Sequence, residues 1–265
     1  MIWFLLKKNF CDGWDNMLSL VVPNVVMTLL AVVLWVFYGT VNEAGNMLIG
    51  MLCTLVLLGI FMIAIFAYGN NAAKIANFGL GPVKEYFGDI IPHVKDGFCF
   101  GLICGAIVIM GSVGIPYYMS LFRSGSLIGI FFAACVFWCV IIALLSLQWF
   151  IPIRTLLKDN FKISLKKCFI IFFDNPGISV FLFLYHCAIG AVSIFLLGCA
   201  PGITGIQISL TNALRILLYK YDYLNEHPEL KGRQRNKIPW EELLAKDKET
   251  LGHRTLRSFI FPWKD

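Results

Sequence analysis

Five polar residues interrupt otherwise apolar stretches of this sequence, and their types limit the chemistry that the chain can perform. They are Asn24, Gln148, His186, Asn212 and Arg215. Asn212 and Arg215 are three residues apart, so on a helix they share a face. One interpretation gathers the five side chains into a polar vestibule open to the cytoplasm, where the Arg215 guanidinium holds an anionic group. The other assigns them to hydrogen bonds between helices, with Arg215 reaching the membrane interface.

Motifs that seat a metal ion, a phosphate or a nucleophile do not occur in the sequence. It contains no HExxH, GxSxG, Walker or calcium-loop pattern. Its nine cysteines form no CxxC pair, and Cys135 and Cys139 have no histidine nearby, so we expect packing residues and neither a metal site nor disulfides. A proton relay from His186 needs a carboxylate, and the apolar stretches contain none. We therefore expect no enzyme, no catalytic residues and no cofactor.

The elements that carry these residues are six long apolar stretches, which together hold none of the sixteen Asp and Glu residues. Each has about 17 to 23 residues, enough for a helix to cross a hydrocarbon core about 30 Å thick. With 58% hydrophobic and only 14% charged residues, the composition is too apolar for a soluble domain of this size. Residues 1–220 are therefore predicted to form an all-α polytopic membrane helix bundle with six transmembrane helices, at 17–38, 47–67, 98–117, 127–149, 178–199 and 203–219.

Positive charges fall mainly on one side of these stretches, which predicts the orientation of the chain. Lysines and arginines concentrate at residues 74–95 and 154–167 and after residue 219, whereas the alternate loops contain only Arg123. Both ends should therefore face the cytoplasm. The net charge of +6 fits attraction to anionic lipid at that face, at about 1 kcal/mol per residue near the surface, better than it fits binding to nucleic acid.

Short basic and aromatic segments precede three pairs of apolar stretches, at Ile2–Trp14, Gly81–Gly97 and Ile153–Asp174. The third mixes apolar and lysine residues at roughly helical spacing, a pattern suited to a helix that lies in the membrane interface. We predict three interfacial amphipathic helices, each followed by a helical hairpin. The alternative is chance similarity among basic membrane flanks. The GxxxG pattern of Gly101 and Gly105 predicts close helix packing within the chain.

Several local patterns follow one another in a characteristic order along residues 10–220. They are alanines and a proline after the second stretch, an aromatic segment, a Leu-Gln-aromatic pattern followed by proline, and an Asn-Pro pair: Ala72, Ala73 and Pro82; Tyr86, Phe87 and Phe98; Leu147, Gln148, Trp149 and Pro152; Asn175 and Pro176. This order resembles the YesL-like bacterial membrane proteins, a family of unknown function. The resemblance implies a place in the bacterial cytoplasmic (inner) membrane and a supporting role near carbohydrate uptake. It supplies no catalytic residues.

The tail, residues 221–265, is predicted to be a cytoplasmic element with one helix, which begins where Pro239 precedes Trp240, Glu241 and Glu242. Its end combines positive charge with aromatic rings, in Arg254, Arg257, Phe259, Phe261 and Trp263. This combination suits docking to a membrane-protein partner or lying on the membrane surface. A third interpretation folds the tail back onto the cytoplasmic loops of its own chain.

Two classes of function agree with this sequence. The first is a non-enzymatic accessory or assembly component that acts with a membrane partner, which fits the basic cytoplasmic face and the docking tail. The second is a small-solute transporter or transporter subunit, which would use the polar residues within the bundle. The absence of carboxylates from the apolar stretches counts against proton coupling, and we favour the accessory component.

Overall fold

The computed structural model of this protein describes residues 1–43, 45–230, 232, 235 and 237–252, and regular structure in these ranges is entirely helical. In chain order the helices are α1 (Ile2–Asp15), α2 (Met17–Asn42), α3 (Met47–Ala67), α4 (Gly69–Ala76), α5 (Val83–Gly88), α6 (Val94–Ile109), α7 (Ile115–Arg123), α8 (Leu127–Leu147), α9 (Phe150–Leu156), α10 (Phe161–Asp174), α11 (Pro176–Phe195), α12 (Gly202–Glu226), α13 (Trp240–Leu243) and α14 (Ala245–Leu251). A π-helical turn, Met110–Gly114, joins α6 to α7. The all-α prediction is confirmed.

Five of the helical segments in the described residues are long and apolar enough to cross a membrane: Met17–Asn42, Met47–Ala76, Val94–Arg123, Leu127–Leu156 and Pro176–Phe195. Only 11–28% of the residues in their apolar windows are buried. Apolar surface exposed on this scale is typical of contact with lipid. The chain is therefore compatible with a multi-pass membrane protein. Six spans were predicted, and the sixth lies in α12, which is outside this set.

The three basic segments contain helices, although their boundaries differ from the prediction. The first is α1, and it matches Ile2–Trp14 closely. The second holds only the short α5 before α6 begins at Val94, and the third is divided between α9 and α10. Helix α11 begins at Pro176, a position where the N–H that proline lacks would have no partner within the helix. The tail, predicted to contain one helix from Trp240, holds two short helices in its described residues, α13 from Trp240 and α14 from Ala245.

Buried residues concentrate at one end of the molecule, which we call the base: α1, α4, α5, the start of α6, α9, α10, α14 and the second half of α12. Its core includes Leu5, Trp149, Phe150, Ile153 and Leu214, all of which are almost inaccessible to solvent. Helix α12 lies at the centre of the base and packs against α1, α2, α4, α9 and α11. Because α12 is surrounded by protein, its sequence can be more polar than that of a lipid-facing helix.

Helices α3 and α6 pack closely because glycines line their contact. A Cβ atom at Gly101 would lie 2.5 Å from the Cα of Gly59, which is too close for any residue other than glycine at position 101. Gly105 similarly faces the backbone of Leu55. The predicted contact of the GxxxG face within the chain is therefore confirmed, and it fixes the pairing of two long apolar helices.

The turn between α11 and α12 packs against the first half of α2. Asn24 donates from Nδ2 to the carbonyl oxygens of Cys199 (3.1 Å) and Pro201 (2.9 Å), and its Oδ1 accepts from the backbone N–H of Thr204 (3.0 Å). Gly198 has a φ of 76° and lies against Thr28, where a Cβ would overlap the threonine hydroxyl. Beyond this contact α2 continues toward Asn42 beside α3.

Candidate functional site

A buried cluster of polar side chains joins α1 to α12, and we call it the α1–α12 cluster: Lys8, Asn9, Asp12, Ser209 and Asn212. Lys8 Nζ donates to both carboxylate oxygens of Asp12, at 3.1 and 2.8 Å. Asn212 Nδ2 donates to Asp12 Oδ2 at 2.8 Å and to Asn9 Oδ1 at 2.9 Å. Asn9 Nδ2 in turn donates to Ser209 Oγ at 3.0 Å. Lys8 and Asp12 can pair because they are four residues apart and therefore lie on one face of α1.

The Lys8–Asp12 ion pair is held in an environment that penalises charge. Burial lowers the pKa of Lys8, and the neighbouring Asp12 opposes that shift. Burial likewise raises the pKa of Asp12, against the attraction of Lys8 and the hydrogen bond from Asn212. The Lys8 ammonium also lies 3.8 Å from the ring centroid of Phe78, a cation–π contact. The buried charges of Lys8 and Asp12 are therefore stabilised by each other, by the Asn212 amide and by the ring of Phe78.

His186 reaches this cluster from α11. Its Nε2 lies 3.2 Å from Ser209 Oγ, so a chain of hydrogen bonds runs from His186 through Ser209 and Asn9 to Asn212 and Asp12. The apolar stretches contain no carboxylate, but Asp12 on α1 brings one to this cluster, because α1 packs against α12. The side-chain amides of Asn9 and Asn212 do not titrate, so they interrupt proton transfer along this chain. This series of hydrogen bonds holds α1, α11 and α12 together and is poorly suited to transfer protons.

Four of the five N–H groups of Arg215 donate to other side chains. Its Nη1 and Nη2 donate to the two carboxylate oxygens of Asp247 on α14, at 2.6 and 2.9 Å. Nη2 also donates to Tyr219 Oη (2.6 Å), and Nε donates to Asn77 Oδ1 (3.0 Å). A guanidinium with its donors engaged in this way has little capacity left for an anionic ligand. The predicted role of Arg215 in holding an anion would require Asp247 to leave.

Gln148, His186 and Gln207 line a partly open cavity of about 390 Å³. The cavity lies between α3 and α6 on one side and α8, α11 and α12 on the other. Gln148 Nε2 donates to the carbonyl oxygens of Leu145 (2.9 Å) and Ser179 (3.0 Å), which fixes the orientation of its amide. Within the described residues, Oε1 of Gln148 and Oε1 of Gln207 have no hydrogen-bond partner. Both glutamines therefore carry a buried, unpaired Oε1 beside a mostly apolar cavity.

The five predicted membrane-site residues do not form a single site. Asn212 and Arg215 lie in the base, Gln148 lines the cavity, and His186 connects the cavity to the α1–α12 cluster. Asn24 is separate from them, because it holds the α11–α12 turn. The predicted docking residues of the tail, Arg254, Arg257, Phe259, Phe261 and Trp263, lie outside the described residues.

Sequence reasoning missed the partners that complete these contacts. The Lys8–Asp12 spacing of four residues was visible in the sequence as a helix-face ion pair. Nothing local connects Asp247 to Arg215, because the two residues approach each other only when the tail folds back. Asp247 itself appeared in the sequence as one of several acidic residues near the tail helix start.

Comparison with known proteins gives no further identification of this site. No protein family, no curated protein and no solved structure matches the chain. Within the described part of the chain, no group of three or more His, Cys, Asp and Glu residues is arranged to hold a metal ion. The geometry of the described residues is therefore the basis for a functional proposal.

Proposed function

We propose that the protein crosses the bacterial cytoplasmic membrane four times, through α2, α3, the α6–α7 segment and α8, with both ends in the cytoplasm. In this proposal α11 and α12 form a re-entrant hairpin that enters from the cytoplasmic side and turns within the membrane. The base faces the cytoplasm and carries the three basic segments. This topology replaces the six spans predicted from the sequence.

The depth of the α11–α12 turn supports the re-entrant hairpin. The turn contacts α2 at Asn24 and Thr28, and the fourteen residues from Thr28 to Asn42 rise about 21 Å further along α2. The tip of the hairpin is apolar and open to its surroundings: Phe195 is 87% exposed and Leu197 is 81% exposed. A turn placed this far below the outer end of α2 lies at the depth of hydrocarbon, which suits these side chains.

The position of the chain ends supports an even number of crossings. Lys7 on α1 donates to the carbonyl oxygen of Gly252, next to α14, at 3.2 Å. Helix α14 also packs on α1, so the beginning of the chain and α14 lie on the same side. Five complete crossings would separate them. Four crossings and a re-entrant hairpin satisfy both this contact and the depth of the turn.

A spin label at Leu197 tests the depth of the tip. In a cysteine-free background, Leu197→Cys carrying a nitroxide should be relaxed strongly by oxygen and weakly by a water-soluble nickel complex, as expected in hydrocarbon. Ser124→Cys, in the exposed loop after α7, is the matched control and should show the opposite order. A Leu197 label that behaves like the Ser124 label would contradict the re-entrant hairpin.

Exposed lysines on the base support a contact with anionic lipid. Lys84, Lys95, Lys162 and Lys166 are exposed, and exposed apolar side chains such as Ile91 and Ile163 lie in the same segments. Lysines beside apolar anchors suit a surface that sits at a negatively charged interface, at about 1 kcal/mol per lysine. Flotation of the protein with vesicles that contain phosphatidylglycerol, at low and high salt, measures this contribution.

For function, we infer a non-enzymatic accessory component that acts with a membrane partner. The observation that carries this proposal is the confinement of the buried polar clusters in the described residues to the base, one cavity and the α11–α12 turn, while the outer parts of the crossing helices remain largely apolar. A carrier needs a polar path across the whole bundle. The supporting role near carbohydrate uptake, which the YesL-like resemblance implies, is included in this proposal.

Crosslinking in native membranes tests the accessory function. The full chain and a variant lacking residues 253–265 should both insert, and the full chain should capture a membrane partner that the shortened variant captures less. Arg123→Ala, on the outer side, is the matched control and should leave capture unchanged. An identical set of crosslinked partners for all three chains would contradict the docking role of the tail.

One observation favours the second candidate, a small-solute transporter or transporter subunit: the cavity beside Gln148, His186 and Gln207. Flux into liposomes of purified protein, lost on His186→Ala and retained in Thr40→Ala on exposed α2 surface, would establish transport. Absence of flux for a panel of sugars and sugar acids leaves the accessory component as the better account.

A further inference from the structure

We propose that the cavity between α3, α6, α8, α11 and α12 binds the head end of an uncharged lipid alcohol, such as a diacylglycerol or a long-chain alcohol. This inference rests on the membrane embedding proposed above. It goes beyond the accessory function, because it assigns a ligand to a site inside the protein.

The cavity has the size and lining of a small-molecule site. Its volume of about 390 Å³ is within the range of about 300 to 1,000 Å³ that is usual for ligand pockets. Most of its wall is hydrocarbon, contributed by residues such as Met62, Ile107, Phe183 and Ile206. An apolar wall of this kind suits the glycerol backbone and upper acyl chains of a lipid, and it offers few hydrogen-bond partners to a sugar.

The polar groups at the cavity call for a hydrogen-bond donor. Gln207 is only 6% exposed, and its Oε1 has no partner in the described part of the chain. Gln148 directs both hydrogens of its amide to backbone carbonyls, so its Oε1 is also left as an acceptor. Buried acceptors without donors are unfavourable, and a hydroxyl group is the simplest partner that an uncharged lipid can offer.

Charge on the ligand is disfavoured by the same wall. The residues that line the cavity include no Lys, Arg, Asp or Glu, and its two ionisable side chains, Cys104 and His186, carry no fixed charge. A phosphate or carboxylate group in this site would be desolvated without a counter-ion. The ligand is therefore a lipid alcohol and not a phospholipid head group.

The cavity is also open toward the membrane. Val108 on α6 and Leu144 on α8 line it, and both are exposed on the lipid-facing surface of the bundle. A lipid can therefore place its hydroxyl end beside the two glutamines while its acyl chains extend outward between α6 and α8.

Photolabelling with a diacylglycerol that carries a diazirine in one chain and an alkyne in the other tests the inference on the full chain in phosphatidylcholine vesicles. Labelled peptides should come from α6, α11 and α12. Unlabelled dioleoylglycerol should compete at least about fivefold better than its acetyl ester, which lacks the hydroxyl donor. Gln207→Leu should reduce labelling by a similar factor, whereas Ser112→Ala, in a different groove, should not.

Ile206→Trp, which fills the cavity, gives a second variant if Gln207→Leu does not fold. Equal competition by the alcohol and its ester, or unchanged labelling in the folded variants, would overturn the inference. Flotation of the vesicles separates its failure from that of the membrane proposal. Protein that floats without labelling in α6, α11 and α12 contradicts the lipid site alone, whereas protein that does not float contradicts both.

Discussion

The guanidinium of Arg215 on α12 holds the carboxylate of Asp247 on α14 through two hydrogen bonds, at 2.6 and 2.9 Å. Only 14% of the Arg215 side chain and 5% of the Asp247 side chain are exposed. This contact fastens the tail to the central helix of the base. It also shows why an arginine near the membrane does not by itself indicate a ligand site, because a distant part of the chain already satisfies it.

Replacement of Asp247 by Asn should release the tail. The change leaves Arg215 partly buried without its counter-charge, and we expect the free energy of unfolding to fall by about 2–4 kcal/mol. Denaturant unfolding in detergent measures the loss, and limited proteolysis should cut the chain faster near α14. Glu249→Gln is the matched control, because Glu249 is exposed on the same helix. Equal stability of Asp247→Asn and the control would contradict a structural role for the contact.

Removing one partner of the Lys8–Asp12 pair should destabilise the protein more than removing both partners together. Asp12→Ala leaves the Lys8 ammonium buried without a carboxylate, so we expect a loss of about 3–5 kcal/mol. Lys8→Met combined with Asp12→Leu removes both charges and should recover most of that loss. Thermal unfolding of the single and double variants checks the order. A double variant that is less stable than Asp12→Ala would show that the pair itself stabilises the base.

Asn24 should be critical for the α11–α12 turn. Asn24→Ala removes three hydrogen bonds and leaves backbone groups of Cys199, Pro201 and Thr204 without these partners. We expect a loss of about 2–3 kcal/mol in unfolding free energy. Thr40→Ala, further along α2 on an exposed surface, should cost much less. If the two variants unfold at the same denaturant concentration, Asn24 does not hold the turn.

Asp174 should make stability depend on pH in the acid range. Burial acts to raise the pKa of its carboxyl, but hydrogen bonds from Lys220 and Tyr221 outweigh burial and hold the pKa below its usual value. A carboxyl whose pKa is lower in the folded state stabilises the protein above its unfolded pKa, and this contribution disappears as the pH falls through the folded value. The stability difference between the wild type and Asp174→Asn should therefore be constant near neutral pH and shrink below about pH 4. A difference that grows on acidification would contradict this assignment.

The positions of the long apolar helices could be predicted because the signal is local. The predicted stretch 47–67 coincides with α3, and 127–149 differs from α8 only at its end. The helix start at Pro176 was equally accessible, since proline restricts the backbone of its own and the preceding residue. Each of these features depends on a few neighbouring residues, and tertiary contacts do not change it.

The arrangement of α12 and of the candidate site could not be predicted in the same way. Hydropathy assigns residues 203–219 to a span, but it carries no information on where the helix begins relative to Asn24 and Thr28. The same limit applies to Gln148 and Gln207, which are far apart in sequence and meet only at the cavity. Asp12 was assigned to an interfacial helix, and only the packing of α1 on α12 brings it to Asn212.

The most direct test of this account is chemical labelling of the hairpin tip from both sides of the membrane. In a cysteine-free background, Ser124→Cys should react with an impermeant maleimide on intact cells. Leu197→Cys, although exposed on the protein surface, should react neither there nor in inverted vesicles until detergent is added. This result is predicted for a turn surrounded by hydrocarbon. Labelling of Leu197→Cys on intact cells at the rate of Ser124→Cys would place the turn outside the membrane and contradict the re-entrant hairpin.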